Sequence, residues 1–167
     1  MTAAHLDYGD AAGLPMLREA IALHVSRVRG TVCSAEQVIV VAGAQQGLEL
    51  IARVLLDPGD VAWMEEPGYP LARAALVSAG AKVMSAPLDD QGVIVEHIDK
   101  QAPPARLIYT TPSHQFPIGV QMGLPRRLAL IEWARATKAW IIEDDYNSEF
   151  RYAGRPLASL QGLDTAG

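Results

Sequence analysis

Residues 124–146 read LPRRLALIEWARATKAWIIEDDY. Apolar residues recur at helical spacing from Leu124 to Lys138, and the next four, Ala139-Trp140-Ile141-Ile142, form an unbroken apolar run that predicts a buried strand. That strand runs straight into Glu143-Asp144-Asp145-Tyr146. A helix feeding a buried strand that ends in a polar loop is the unit from which parallel sheets are built, because a parallel pair needs a crossover on the sheet face. The same unit recurs upstream. Val38-Ile39-Val40-Val41 predicts a first strand, and a helix through Leu48, Ile51, Leu55 and Leu56 follows until Pro58-Gly59 stops it. Val61 to Met64 predicts a second strand, followed by the loop Glu65 to Pro70 and a helix through Leu71, Ala75, Leu76 and Ala79. Residues 82–86 and 107–110 predict a third and a fourth strand, and 139–142 is the fifth. At the start of the chain, Pro15 suits a first helical position, with Leu17, Ile21, Val25 and Val28 in register until Gly30.

The fold class that follows is α/β, a mainly parallel sheet with helices on both faces and right-handed crossovers. Sheets of this class bind ligands beyond the carboxyl ends of their strands. Four loops fall there: Gly43 to Gln45, Glu66 to Tyr69, Thr111 to Gly119, and Glu143 to Tyr146. With 167 residues, 50% hydrophobic and 20% charged, the chain fits one domain with a real core and is not disordered. No apolar run approaches the roughly 18 residues of a membrane span, and Met1 to Gly9 lacks the basic and apolar regions of a signal peptide, so a cytoplasmic location and no membrane partner are expected. A net charge of -5 argues against wrapping nucleic acid, and DNA contact would need another segment. Cys33 is the only cysteine, which excludes an intrachain disulfide, and His5, His24, His97 and His114 are too scattered to suggest a metal site.

Each loop offers candidate chemistry beside a plainer reading. At Gly43-Ala44-Gln45-Gln46 a strand passes into a helix whose free N–H groups suit a phosphate, although small residues also serve packing there. Tyr69, held between Pro67 and Pro70, could stack on a flat ligand or be a surface tyrosine at a helix start. Three adjacent carboxylates, Glu143, Asp144 and Asp145, repel one another and point to a ligand or cation: a carboxylate facing a protonated ring nitrogen, or Mg²⁺. The alternative is a solvated loop. Tyr146 adds a phenol beside them, and His114 by itself reads as a hydrogen-bonding loop residue. Cys33 reads as structural, and the three lysines, Lys82, Lys100 and Lys138, all lie outside the four loops.

Five segments taken together carry a resemblance: YGDAAGLPMLREAIALHVSRVRG from Tyr8, VAGAQQGLEL from Val41, DPGDVAWMEEPGYP from Asp57, TPSHQFPIG from Thr111 and EDDYNSEFRY from Glu143. In this order they resemble fold type I pyridoxal-phosphate (PLP) enzymes, and most closely the aminotransferase-like domain of MocR-type regulators in the GntR family. The resemblance implies part of the large domain of an aspartate aminotransferase-like, PLP-dependent transferase, and a homodimer that senses PLP and a small amine or amino acid effector. It implies that backbone groups of Ala44 and Gln45 hold the cofactor phosphate, that Tyr69 stacks on the ring, that Asp144 pairs with the ring nitrogen and that Tyr146 meets the ring oxygen. Tyr8 is similar to the tyrosine that reaches the phosphate in a neighbouring subunit.

Two departures shape the expectation. Where aminotransferases of this fold carry Asn-Pro-Thr-Gly, this chain has Phe116-Pro117-Ile118-Gly119, leaving His114 or Gln115 as substitutes for the missing amide and favouring a regulator over an aminotransferase. By the resemblance, the Schiff-base lysine follows the segment 158–167 and lies past this sequence. The N-terminal winged-helix domain, which alone would touch DNA, and the C-terminal small domain are absent from it too, so no transaminase activity is expected of these 167 residues. A different class remains, a non-PLP α/β binding module with Mg²⁺ on Asp144 and Asp145. The related sheets resemble a seven-stranded one with two later strands between the first strand and the rest. Strand 38–41 is therefore expected either to close onto 107–110 or to leave an edge that self-association covers.

Overall fold

The computed structural model describes residues 8–99, 104–150 and 157–165. Helix α1 (Pro15–Arg29) opens with proline in its first turn and closes at Gly30, whose φ of 67° is the left-handed geometry that glycine accepts without a Cβ clash. Helix α2 (Ala44–Leu55) leads to strand β1 (Val61–Glu66), and α3 (Pro70–Ser78) to β2 (Lys82–Asp89). A short hairpin adds β3 (Gly92–Val93), antiparallel to β2, and α4 (Val95–Asp99) follows. Strand β4 (Leu107–Thr110), helix α5 (Leu124–Thr137), strand β5 (Trp140–Glu143) and helix α6 (Leu160–Leu163) complete the order.

The strands lie in the order β3-β2-β1-β4-β5, with every pair except β2–β3 parallel. Successive side chains of a strand point to opposite faces, so each strand feeds two cores. On one face Val61, Trp63 and Ile108 pack with Leu130, Ile131 and Trp133 of α5, with Ile98 of α4 and with Leu160 of α6. On the other, Ala62, Met64, Leu107, Tyr109 and Ile142 pack with Leu48 and Ala52 of α2 and with Ala72, Ala75 and Leu76 of α3. Helices thus cover both faces, as the alternating pattern requires.

One expected strand does not form. Val38 is extended, but Val38 to Val41 forms no strand and joins no ladder. Its backbone is engaged elsewhere: Arg18 Nε donates to the carbonyls of Ala35 and Val38, at 3.0 and 2.9 Å, and Val40 N–H donates to Ala12 O at 2.8 Å. Closure onto residues 107–110 is impossible because β4 already has β1 on one side and β5 on the other. Among the described residues the two edges of the sheet are β3 and β5, and at β5 Trp140 is 53% exposed. A β-branched run encodes extended backbone; it does not encode a neighbour. The β2–β3 hairpin was not legible for a different reason. Gly92-Val93 is too short for a periodicity, and what holds it is Arg126 of α5, whose Nη2 meets Asp89 Oδ2 at 2.8 Å. No helix among the described residues is long and apolar enough to cross a membrane.

Candidate functional site

Alternation along β5 sorts the three adjacent carboxylates. Glu143 shares parity with Ile141, on the α5 face, and Asp145 continues on that side. Two buried arginines meet them there. Arg29, the last residue of α1, places Nε 2.7 Å from Asp145 Oδ2 and Nη2 3.7 Å from Glu143 Oε1, and donates to Leu157 O (2.8 Å) and Ser113 Oγ (2.7 Å). The Nε contact is an ion pair without good hydrogen-bond direction. Arg127, in α5 and wholly buried, sets Nη1 3.6 Å from Glu143 Oε1 and donates to the carbonyls of Met122, Pro112 and Ala158. Leu160 N–H donates to Glu143 Oε2 at 2.8 Å. Burial still dominates over these partners and pushes the Glu143 carboxyl above its usual range.

Asp144 turns to the opposite face, the one covered by α2 and α3. Its backbone N–H continues the ladder to Thr110 O at 3.0 Å, and its Oδ2 accepts a hydrogen bond of 2.6 Å from the buried phenol of Tyr109. Burial first, and the Asp144 carboxylate second, push the Tyr109 phenol far above its ordinary value, so it stays a donor. Asp144 and Asp145 therefore diverge, which removes the arrangement in which both would grip one Mg²⁺.

The other loops close around the same end of the sheet. Gly43 precedes α2 in extended conformation with no side-chain cap, so the helix opens on bare N–H groups at Ala44 and Gln45. Gln45 Nε2 reaches Leu71 O at 3.4 Å, tying this turn to α3. Tyr69 sits immediately before α3, and its ring meets that of Phe116 edge to face, with centroids 5.5 Å apart. Tyr146 donates to His114 O at 2.9 Å, and their rings lie edge to face at 6.1 Å. Burial, then Asp144, raises the Tyr146 phenol pKa.

The structure separates the two substitutes for the missing amide. Gln115 is buried, and its amide donates to Glu65 Oε2 (3.2 Å) and Pro67 O (2.9 Å) while its Oε1 accepts from Ile118 N–H (3.1 Å). Its polar atoms are thus committed within the protein. His114 remains exposed at the crevice. Tyr8, on the segment before α1, is fully exposed and is not brought to this cluster.

Sequence reading missed the residues that hold the site together. Glu65 ends a run of five buried positions in β1 and accepts hydrogen bonds from the Thr110 hydroxyl, from Thr111 Oγ1 (2.8 Å) and from Thr111 N–H (3.2 Å). A carboxylate closing an apolar strand run was the available signal. Tyr109 could have been found by parity, since it stands two positions from Leu107 on the face that Asp144 also takes. Nothing local marked Arg29 or Arg127, whose partners lie in distant segments.

An uncapped helix start, a ring flanking the crevice and one carboxylate turned into it, all at the carboxyl end of a parallel sheet, define the class: an α/β domain with the large-domain fold of PLP-dependent aminotransferases. The chain belongs to the aminotransferase class I and II family, which matches residues 3–164. Solved structures agree. A kynurenine aminotransferase of Pyrococcus horikoshii aligns with a TM-score of 0.89 at 34% identity, over 97% of this chain and 42% of that one. An archaeal alanine:glyoxylate aminotransferase gives 0.89 at 35% identity, over 99% and 42%. Among sequences, the probable rhizopine catabolism regulatory protein MocR of Rhizobium meliloti is 47% identical over 96% of this chain and 32% of its own length. The pyridoxine biosynthesis regulator PdxR of Corynebacterium glutamicum is 39% identical over 90% and 32%. Aromatic-amino-acid aminotransferase 1 of Thermococcus litoralis is 33% identical over 97% and 40%. The chain spans about a third of the length of the regulators it matches.

Proposed function

We propose that this chain is the cofactor-facing part of a PLP- and effector-sensing domain in a MocR-type transcriptional regulator of the GntR family. The observation that carries the reading is the divergence at β5: of three consecutive carboxylates, Asp144 alone is turned away from the buried arginines toward the face where α2 begins. The residues present fit the group. The bare N–H groups of Ala44 and Gln45 suit its phosphate, Tyr69 offers a ring, Asp144 can face its pyridine nitrogen, Tyr146 can meet its ring oxygen by turning its hydroxyl from His114 O, and His114 stands where an amide is missing. Bound there, PLP supplies an electron-withdrawing ring that registers amines. The chain's own part is to keep that ring oriented and its nitrogen protonated through Asp144.

In this reading the regulator acts in the cytoplasm as a homodimer, Tyr8 reaches the phosphate site of the neighbouring subunit, and a small amine or amino acid is the effector. DNA is contacted by an N-terminal winged-helix domain and the cofactor is anchored by a lysine, both outside these 167 residues. Support comes from the regulators at 39–47% identity and from Phe116, which stands where aminotransferases of this fold place an amide. The test uses the whole gene product containing this segment. Its retention of DNA from upstream of its own gene is expected to change when PLP and an amine are added together, with no net amino-group transfer to an oxoacid. Steady transamination with no DNA binding would instead establish an aminotransferase.

A further inference from the structure

We propose that Tyr109 is a positioning residue for Asp144, holding that carboxylate in the one orientation that presents its second oxygen to a ligand's ring nitrogen. The inference rests on the reading of Asp144 given above. Asp144 is gripped twice by β4. Its main chain is set by the bond to Thr110 O (3.0 Å), and its side chain by the Tyr109 hydroxyl (2.6 Å). The register Tyr109↔Ile142 and Thr110↔Glu143 makes both contacts a consequence of strand pairing. Tyr109 is 1% exposed and packed among Leu107, Met64 and Ile142, so its hydroxyl has little freedom.

The geometry divides the work of the two oxygens. Oδ2 is committed to the phenol, while Oδ1 makes no hydrogen bond among the described residues and remains available. An Asp side chain without the phenol would sample several rotamers, and ordering it on ligand binding would cost affinity. With Oδ2 held by the phenol, Oδ1 is the oxygen left to accept from a protonated ring nitrogen. Glu65 and Tyr69 are the other titratable groups that face Tyr109, and neither bonds to Asp144.

The experiment compares two probes, pyridoxamine 5′-phosphate and its 1-deaza analogue, in which a C–H replaces the ring nitrogen. Dissociation constants are measured by equilibrium dialysis on the whole gene product containing this segment and on its Tyr109→Phe variant. The parent is expected to prefer the nitrogen-containing probe by about tenfold, the size of a hydrogen bond to a charged group. Tyr109→Phe is expected to cut that preference by about fivefold while leaving affinity for the deaza probe nearly unchanged. A preference untouched by Tyr109→Phe overturns the inference and leaves the reading of Asp144 standing. Equal losses for both probes also overturn it, because they report general damage to the site. A parent that shows no preference, or binds neither probe, overturns the Asp144 reading and the inference with it. Should Tyr109→Phe not fold, 3-fluorotyrosine at position 109 keeps the shape and changes only hydroxyl acidity: a shifted preference supports the inference, and an unchanged one overturns it.

Discussion

Arg29 Nε lies 2.7 Å from Asp145 Oδ2, joining the last residue of α1 to the loop that follows β5 across 116 positions of sequence. The guanidinium is almost wholly buried, and its remaining donors go to Leu157 O and Ser113 Oγ. One side chain therefore ties together three segments at the carboxyl end of the sheet.

Removing it takes from Asp145 its ion-pair partner and leaves the largely buried Glu143 with Arg127 as its one arginine. Arg29→Met is expected to lower unfolding free energy by about 3 kcal/mol, the low end for breaking a buried ion pair. Urea denaturation followed by circular dichroism measures this. A loss below about 1 kcal/mol, typical of an exposed pair, would show that the arginine is not structural.

Glu143 makes stability fall with rising pH. Its carboxyl pKa is raised in the fold by burial, against the opposing pull of the Leu160 N–H, Arg127 and Arg29 and alongside repulsion from Asp145. The folded state then holds the Glu143 proton more tightly than the unfolded chain does. Its contribution is fully present below the ordinary glutamate pKa of about 4.3 and is lost as pH rises through the higher folded value. Unfolding free energy of the parent minus that of Glu143→Gln should decrease across that window. An increase over the same range would show that the two arginines outweigh burial.

Asp144 and Asp145 should respond differently to truncation. Asp144→Ala is expected to weaken PLP binding by about 1.5 to 3 kcal/mol, the value of a hydrogen bond to a charged group. Asp145→Ala should act mainly on stability through Arg29. Absorbance titration with PLP, beside a denaturation curve for each variant, separates the two effects. Equal losses of affinity would sink the assignment of Asp144.

Neither described lysine should trap the cofactor. Lys82 begins β2 and Lys138 follows α5 just ahead of β5, so both sit at the amino ends of strands, opposite the crevice. After incubation with PLP and borohydride, peptide mapping is expected to find no stoichiometric adduct at either. A single modified Lys82 or Lys138 would place the site at the other end of the sheet.

Much of this architecture is legible in the residues. Four of five expected strands form within a few positions of their apolar runs, and the helix start at Ala44 follows from Gly43 and the apolar periodicity behind it. The exception is Val38 to Val41, where composition encodes an extended backbone but Arg18 takes the Val38 carbonyl and Ala12 O takes the Val40 N–H. Local sequence specifies conformation because side-chain sterics and solvation act within a few residues. Pairing partners and buried charges are matters of distance in space. The sequence by itself determined that a parallel sheet would gather four loops at one end, and that three carboxylates would meet there. Only the tertiary structure decided which of them faces the crevice, because that choice depends on Arg29, Arg127 and Tyr109 arriving from separate elements, and on the pleat of β5 sending Asp144 one way and its neighbours the other.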